Sequence, residues 1–304
     1  MDAQTALFQQ HRQRLFGLAY RMLGRPADAE DVLHDAWLRW HDQDVDALDD
    51  PEAWLVTVTT RLSLDRLRRA KTERAHYTGP WLPEPLTEDF EAIADDEPSG
   101  ALERAESLSL SFLLILERLS AEERAAFLLR EVFDYSHAEV ASMLDMTEDA
   151  CRQRVHRAKV RLKEDRPRFQ VDPAQQRRML QRFIEAMEKP TLASLQALFA
   201  EDAIHVADGG GLASATLRPL HGAERLARLY LQIANNTRPY AMLREIRMLN
   251  GVPAIFQWLG DQLTSVMWIE SDGDKITGTL AIRHPEKLAR IAAVTNPPAA
   301  ASLH

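Results

Sequence analysis

Two stretches of this 304-residue chain carry side chains suited to holding phosphate. Residues 61–74 (RLSLDRLRRAKTER) contain six basic and two acidic groups, and residues 152–168 (RQRVHRAKVRLKEDRPR) contain eight basic and two acidic. Cationic clusters of this kind bind nucleic-acid backbones by neutralising phosphates and releasing counterions. In the second stretch Arg152 and Gln153 add base-reading chemistry, since an arginine fork suits guanine and a glutamine amide suits adenine. His156, Arg157 and Lys159 beside them suit phosphates. Acid is concentrated just as sharply: residues 28–52 hold ten acids and one Arg, and residues 84–106 nine acids and one Arg. The formal net charge of −9 therefore conceals segregated surfaces. The plainer reading of each run is a solvated helix face.

The elements that must position these groups follow from hydrophobic spacing. Leu7, Leu15, Leu18, Ala19, Met22 and Leu23 recur at helical period over residues 7–24, which Gly24 and Pro26 close. In DAEDVLHDAWLRW, Ala29, Val32, Leu33, Ala36, Trp37 and Trp40 make one face, and Asp28, Asp31, His34, Asp35 and Arg39 the other. The polar tract 41–50 reads as a loop. Asp50 is a candidate N-cap and Pro51 a first helical residue, opening a helix to about Thr72. Residues 75–106 break regular structure with prolines and glycines, although Tyr77, Trp81, Leu82 and Leu86 call for burial. Helices resume near Leu102, with one over 119–133. Ser136 and Glu139 match a capping box for another over 136–144. After an Asp145–Met146 turn, Thr147 either caps the next helix or joins its nucleic-acid contacts. Cys151, Val155, Ala158 and Leu162 form the inner face of that helix, and Arg152, Gln153, His156, Lys159 and Lys163 its outer face. This pair of helices reads as a helix-turn-helix.

Beyond Pro167 and Pro173 the texture changes to mixed α and β. Two helices fit residues 173–200, a strand 204–208 running into glycines, a helix 221–235, and then consecutive strands with NG and DG hairpin signals at 250–251 and 272–273. Residues 1–169 sum to −10 and residues 170–304 to +1. With 45% hydrophobic and 27% charged residues, general disorder is excluded, and no run approaches the roughly 20 apolar residues of a membrane span. The single cysteine excludes a disulfide framework and a cysteine-clustered metal site, and places the chain in a reducing cytoplasmic compartment. No membrane association is expected, and no cofactor or metal.

DAEDVLHDAWLRW resembles region 2.2 of bacterial sigma factors. PEAWLVTVTTRLSLDRLRR resembles regions 2.3 and 2.4 of the extracytoplasmic-function (ECF) class, and LSAEERAAFLLREVFDYSHAEVASMLDMTEDACRQRVHRAK resembles region 4. The tracts WLPEPL (81–86), DGGG (208–211) and HPEKL (284–288) are similar to marks of ECF group 41, the SigJ-type factors. His284 stands where that group usually has Asn, and Leu212 where it commonly has Lys. The resemblance implies a multidomain fold. Two all-α sigma domains, a region 2 helical bundle over 1–74 and a region 4 helix-turn-helix over 107–168, are joined by a linker over 75–106. An α+β SnoaL-like cone of the nuclear-transport-factor-2-like fold follows over 169–304. It implies a non-enzymatic initiation factor whose partners are core RNA polymerase, through its β′ and β subunits, and promoter DNA.

On this resemblance Asp31, His34 and Asp35 would bind a basic coiled coil of β′. Arg61, Ser63, Arg66 and Arg69 would hold the −10 element, with the loop 41–50 capturing an unstacked base. The five Asp residues of that loop either line the pocket or face away. Thr147, Arg152, Gln153, His156, Arg157 and Lys159 would meet the −35 element. Trp81, Leu82 and Pro83 would meet Asp208, Gly209, Gly210 and Gly211, letting the C-terminal domain act in place of a separate anti-sigma protein. That domain is read first as a protein-contacting module, next as a sensor of an unknown small ligand, and last as a catalyst, with His205, Asp208, Trp258 and Trp268 as pocket candidates. Two other readings compete: a helix-turn-helix regulator that binds DNA without polymerase, and an enzyme whose N-terminal part regulates its gene.

Overall fold

The computed structural model describes residues 3–86, 109–165, 173–240 and 242–295. They form two compact units. The first comprises residues 3–76, 83–86 and 109–165, and the second residues 77–82, 173–240 and 242–295. These units cut across the segments read from the sequence. Regions 2 and 4 share one unit, and Tyr77–Leu82, whose side chains call for burial, belongs with the C-terminal domain. The acidic run beyond Leu86, the helix expected near Leu102 and the boundary near Arg168 lie outside the described residues.

The first unit is all-helical: α1 (Ala3–Leu23), α2 (Pro26–His41), α3 (Pro51–Arg74), α4 (Leu110–Leu116), α5 (Ala121–Glu131), α6 (His137–Met143) and α7 (Glu148–Asp165). The local signals act as expected. Asp50 caps α3 through the Ala53 amide, and Pro51 fills its first position. Ser120 with Glu123, and Ser136 with Glu139, close reciprocal capping boxes on α5 and α6. The tract 41–50 holds one 3-10 turn, Val45–Ala47. One hydrophobic core runs through the unit, from Leu15, Leu33, Trp40 and Leu55 to Leu116, Leu128, Val140 and Val155. Cys151 sits in it, fully buried, and burial pushes its thiol up.

Polar contacts reinforce the junction of regions 2 and 4 within this core. Buried Arg124 donates to the Met22 carbonyl at 2.6 Å and to Glu117 at 2.9 Å. Arg74 donates to the Leu23 carbonyl at 3.1 Å and also pairs with Glu117. Two guanidiniums thus satisfy carbonyls that the end of α1 leaves without helical partners. Arg61 donates to the Met143 carbonyl at 3.3 Å, and Arg68 meets Glu122 at 3.2 Å.

The second unit contains α8 (Pro173–Glu188), α9 (Leu192–Leu198), β1 (Phe199–Asp208), β2 (Leu220–His221), α10 (Ala223–Thr237), β3 (Met242–Leu249), β4 (Val252–Leu259), β5 (Gln262–Ser271), β6 (Ile276–Ile282) and α11 (Pro285–Val294). Its six strands form one mixed sheet in the order β2-β1-β6-β5-β4-β3. β1 and β6 pair in parallel, and the other pairings are antiparallel. Helices α8, α9 and α10 lay Met179, Phe183, Leu195, Leu226 and Tyr230 against Ala207, Ile255, Met267, Ile269 and Ala281 of one sheet face. This is an α+β arrangement, as expected of the C-terminal domain. Asn250 and Gly251, at φ 53° and 71°, make the two-residue turn that NG signalled. The DG signal gives a longer loop instead, because Asp272 Oδ1 accepts from the amides of Asp274 (2.9 Å) and Lys275 (2.7 Å). The sequence reading did not include β2 or α11.

Candidate functional site

The acidic face of α2 is laid out as its spacing requires. Asp31, His34 and Asp35 are all exposed, while Val32, Leu33 and Ala36 turn into the core. Leu38 shares the exposed face one turn on and is 51% exposed. The sequence reading passed over it because a leucine beside two tryptophans looks like core. Asp28, by contrast, is buried. It pairs with Arg66 at 2.6 Å and Arg25 at 3.6 Å, and its hydrogen bond holds the Arg66 guanidinium above its ordinary pKa.

The residues expected at the −10 element divide. Arg61 and Arg69 are exposed on α3, and Arg66 is half-buried against Asp28. Ser63 is fully buried and donates its hydroxyl to the Thr59 carbonyl at 2.8 Å, so in this arrangement it faces the core rather than solvent. It falls on the same helical face as Thr59, Thr60 and Leu67, which a basic reading of the stretch overlooked.

On and just before α7 the six residues expected at the −35 element are all at the surface, but three of them pair with an intramolecular acid. Arg152 pairs with Glu148 and Asp149, Lys159 with Glu131 at 2.6 Å, and Arg157 with Glu123 at 3.2 Å. Arg161 shares Glu123. Burial drives the Glu123 pKa up, but hydrogen bonds from Ser120 and Arg157 and the Arg161 charge outweigh it and hold the carboxyl below its usual range. Gln153 and His156 are exposed. Thr147 caps α7 by accepting from the Ala150 amide at 3.2 Å.

The second unit holds the densest polar site. Asp208 ends β1 with no solvent exposure. Its carboxylate accepts from the Tyr77 hydroxyl at 2.5 Å, the Leu82 amide at 2.9 Å and the Lys287 ammonium at 2.7 Å. Lys287, itself buried, also donates to the Leu82 carbonyl and lies over the Trp81 ring, 4.6 Å from its centroid. Tyr77 stacks on His284 with centroids 6.1 Å apart.

The glycines after Asp208 make this approach feasible for different reasons. A Cβ on Gly209 would stand 2.5 Å from the Ala213 carbonyl of its own turn. Gly210 has φ +59°, and a Cβ there would stand 2.1 Å from the His284 ring and 2.9 Å from the Tyr77 hydroxyl. Gly211 has φ +75°, with Thr78 only 3.0 Å from the same notional atom. Trp81, Leu82, Asp208 and the glycines thus converge. Pro83 falls in the first unit, where its neighbour Glu84 pairs with Arg25 at 3.0 Å and gives its carbonyl to the Tyr20 hydroxyl at 2.8 Å. Lys287, Tyr77 and His284 carried no role in the sequence reading; the HPEKL tract was the signal for two of them.

The four pocket candidates do not line one pocket. His205 lies on the helix-covered sheet face, 2.9 Å from the Thr279 hydroxyl and 3.2 Å from the Tyr230 hydroxyl. Burial, with the Arg283 charge, brings its pKa down to about 4, so it is a neutral core histidine at pH 7. Asp208 is occupied by the contacts above. The Trp258 indole donates to Glu245 at 2.9 Å beneath Arg247. Trp268 alternates along β5 with Met267, whose sulfur accepts from the Tyr230 hydroxyl, so it points to the opposite face. Among the described residues no helix is long and apolar enough to cross a membrane.

The sequence matches the family Sigma-70 region 2 over residues 7–73 and Sigma-70, region 4 over residues 109–162. It is 31% identical to the ECF RNA polymerase sigma factor SigJ of Mycobacterium tuberculosis, across 90% of this chain and 93% of that protein. It is 29% identical to a probable ECF RNA polymerase sigma factor, SigI, of the same species, over 94% of this chain and 95% of the other. The crystal structure of M. tuberculosis SigJ superposes with a TM-score of 0.70 at 29% identity, covering 94% of this chain and 98% of that one. The region order, the helix-turn-helix with its basic outer face and the full-length likeness to SigJ agree: the chain belongs to the ECF family of RNA polymerase sigma factors.

Proposed function

We propose that this protein directs core RNA polymerase to its promoters under the control of its own C-terminal domain, which acts where other systems use a separate anti-sigma protein. The observation that carries the reading is the capture of Tyr77–Leu82, the chain between regions 2 and 4, by Asp208 and Lys287 of the C-terminal unit. A domain that holds the segment joining two DNA-reading regions limits how far those regions can separate. A tethered contact also acts at high effective concentration.

Separation matters because of promoter length. The −10 and −35 elements lie about 25 base pairs apart, or ~85 Å at ~3.4 Å per pair. In the first unit α3 and α6 are joined by the bond from Arg61 to the Met143 carbonyl at 3.3 Å, inside one core. Reading both elements therefore requires that core to open. Asp31, His34 and Asp35, with Leu38 beside them, stay exposed, so polymerase can engage first. Arg61, Arg66 and Arg69 then meet the −10 region. Arg152 and Gln153 read bases at the −35 element, with Thr147, His156, Arg157 and Lys159 on the backbone. The acids now paired to Arg66, Arg157 and Lys159 are exchanged for phosphates, and those paired to Arg152 for a base edge. Ser63 would have to leave the core to join the −10 contact.

Run-off transcription with core polymerase tests this, on templates selected from genomic DNA by the holoenzyme. Full-length protein and a chain ending near Arg168 should both initiate and should differ in rate. Specific DNA binding without any polymerase-dependent transcript would instead support the stand-alone regulator.

A further inference from the structure

We infer that the free edge of β3 is a self-association surface. Two copies of the chain pair β3 against β3, antiparallel, with Ile246 opposite Ile246, and so join two six-stranded sheets into one. The inference stands apart from the proposed control and does not depend on it.

The sheet ends differently on its two sides. β2 closes one edge and is only two residues long. β3 closes the other and runs for eight residues in unbroken register with β4. Short edge strands, prolines, bulges and covering segments are what ordinarily prevents edge-to-edge pairing. β2 has the first of these; β3 (MLREIRML) has no proline, no glycine and no register shift. Its apolar side chains also stand in solvent, with Met248 58% exposed and Leu243 41%.

Turn chemistry decides which backbone groups are free. Asn250 and Gly251 form a two-residue turn, so Leu249 and Val252 on either side of it exchange both bonds. Such exchange alternates along an antiparallel pair. Leu249, Arg247, Glu245 and Leu243 therefore bond to β4, and Met248, Ile246 and Arg244 turn their N–H and C=O outward. Among the described residues nothing accepts from those three N–H groups. A second β3 must offer its own outward residues, so a two-fold pairing can centre only on a residue, not between two. Centres on Arg244, Glu245 or Arg247 set like charges directly opposite, and centres nearer the strand ends leave most of the edge unpaired. The centre on Ile246 sets Glu245 against Arg247 twice, and the Arg244 stem against the exposed Met248 twice. Ile246 already packs on the helix-covered core of its own copy, so this register makes the apolar layer continuous between copies. That match of charge to charge identifies the occupant as a second copy.

Sedimentation velocity of the full-length protein is the test. At about 100 μM, where a micromolar dimer is mostly assembled, the chain should sediment as a dimer. A monomer at that concentration would overturn the inference. Two changes at one exposed position test the register, because Met248 faces Arg244 of the other copy. Met248→Lys should weaken the dimer at least tenfold, and Met248→Glu should hold or tighten it, with melting temperatures kept in both. Equal weakening by both would show a merely apolar patch and refute this pairing. Ile246→Cys should form an intermolecular disulfide on oxidation, since opposite residues that exchange bonds lie about 5.5 Å apart at Cα, within disulfide reach. The native Cys151 is buried and stays out of the reaction. Met248→Cys alone should not cross-link, but should do so when mixed with Arg244→Cys protein. A cross-link from Met248→Cys alone, or none from folded Ile246→Cys, would overturn the register. If Ile246→Cys does not fold, the two Met248 charge variants still decide. A monomeric wild type whose binding to core polymerase is lost in Met248→Lys would assign the edge to polymerase and overturn self-association.

Discussion

Replacing Gly210 with alanine should disrupt the linker site far more than a matched glycine elsewhere, and the structure supplies the comparison. Gly210 and Gly260 share nearly the same backbone, at φ +59° and +57°. A Cβ on Gly260 meets nothing within 4 Å, so Gly260→Ala isolates the strain of a left-handed residue, about 1 kcal/mol. The same atom on Gly210 stands 2.1 Å from the His284 ring and 2.9 Å from the Tyr77 hydroxyl. Ordinary carbon contacts lie at about 3.5–4.0 Å, so the ring must move by about 1.5 Å. His284 is buried and stacked on Tyr77, whose hydroxyl serves Asp208, so that movement spreads into the site. Overpacking of this kind costs about 1–3 kcal/mol beyond the strain. At roughly 2–4 °C per kcal/mol for a domain of this size, Gly210→Ala should melt about 2–12 °C below Gly260→Ala. Differential scanning calorimetry of the two variants reads this directly. Melting temperatures within about 1 °C of each other would refute the close packing of the DGGG turn against His284 and Tyr77.

Other outcomes follow from single groups. Asp35→Lys, an exposed change on α2, should leave the melting temperature in place and weaken binding to core polymerase at least tenfold in fluorescence anisotropy. His205, with a folded pKa near 4 against an ordinary 6.5, stays neutral in the fold while the unfolded chain takes up a proton. Its contribution is therefore fully present above pH 6.5 and falls away as pH drops toward 4, by about 3 kcal/mol; His205→Gln should flatten that part of the stability–pH curve measured by urea unfolding. Cys151, buried with its pKa raised, should resist iodoacetamide in the native protein and react once urea exposes it.

Much of this architecture is local and therefore legible in the chain. The helices of the first unit follow from apolar period, from Pro51 behind the Asp50 cap, and from the two Ser/Glu capping boxes. What escaped reading is long-range. The parallel pairing of β1 with β6 joins residues more than seventy positions apart, and nothing in either strand announces it. Arg124 looks like one more surface charge of α5 until the end of α1 is brought to it. Ser63 sits in a basic stretch, yet its own helical face is buried. At the linker site the motif tracts marked the place, and Asp208 and the glycines were singled out. Lys287 was not, because a lysine in HPEKL carries no sign that it will be buried over an indole ring.

If the C-terminal domain controls initiation by holding Tyr77–Leu82, releasing that segment must change the initiation rate. The most direct measurement is quantitative run-off transcription from a selected promoter, with core polymerase saturated by wild-type protein or by Lys287→Met. Transcripts should depend on added protein, with a several-fold difference in initiation rate between the two at equal polymerase occupancy. Equal rates, with Leu82 shown by amide hydrogen exchange to be released in the variant, would contradict that control.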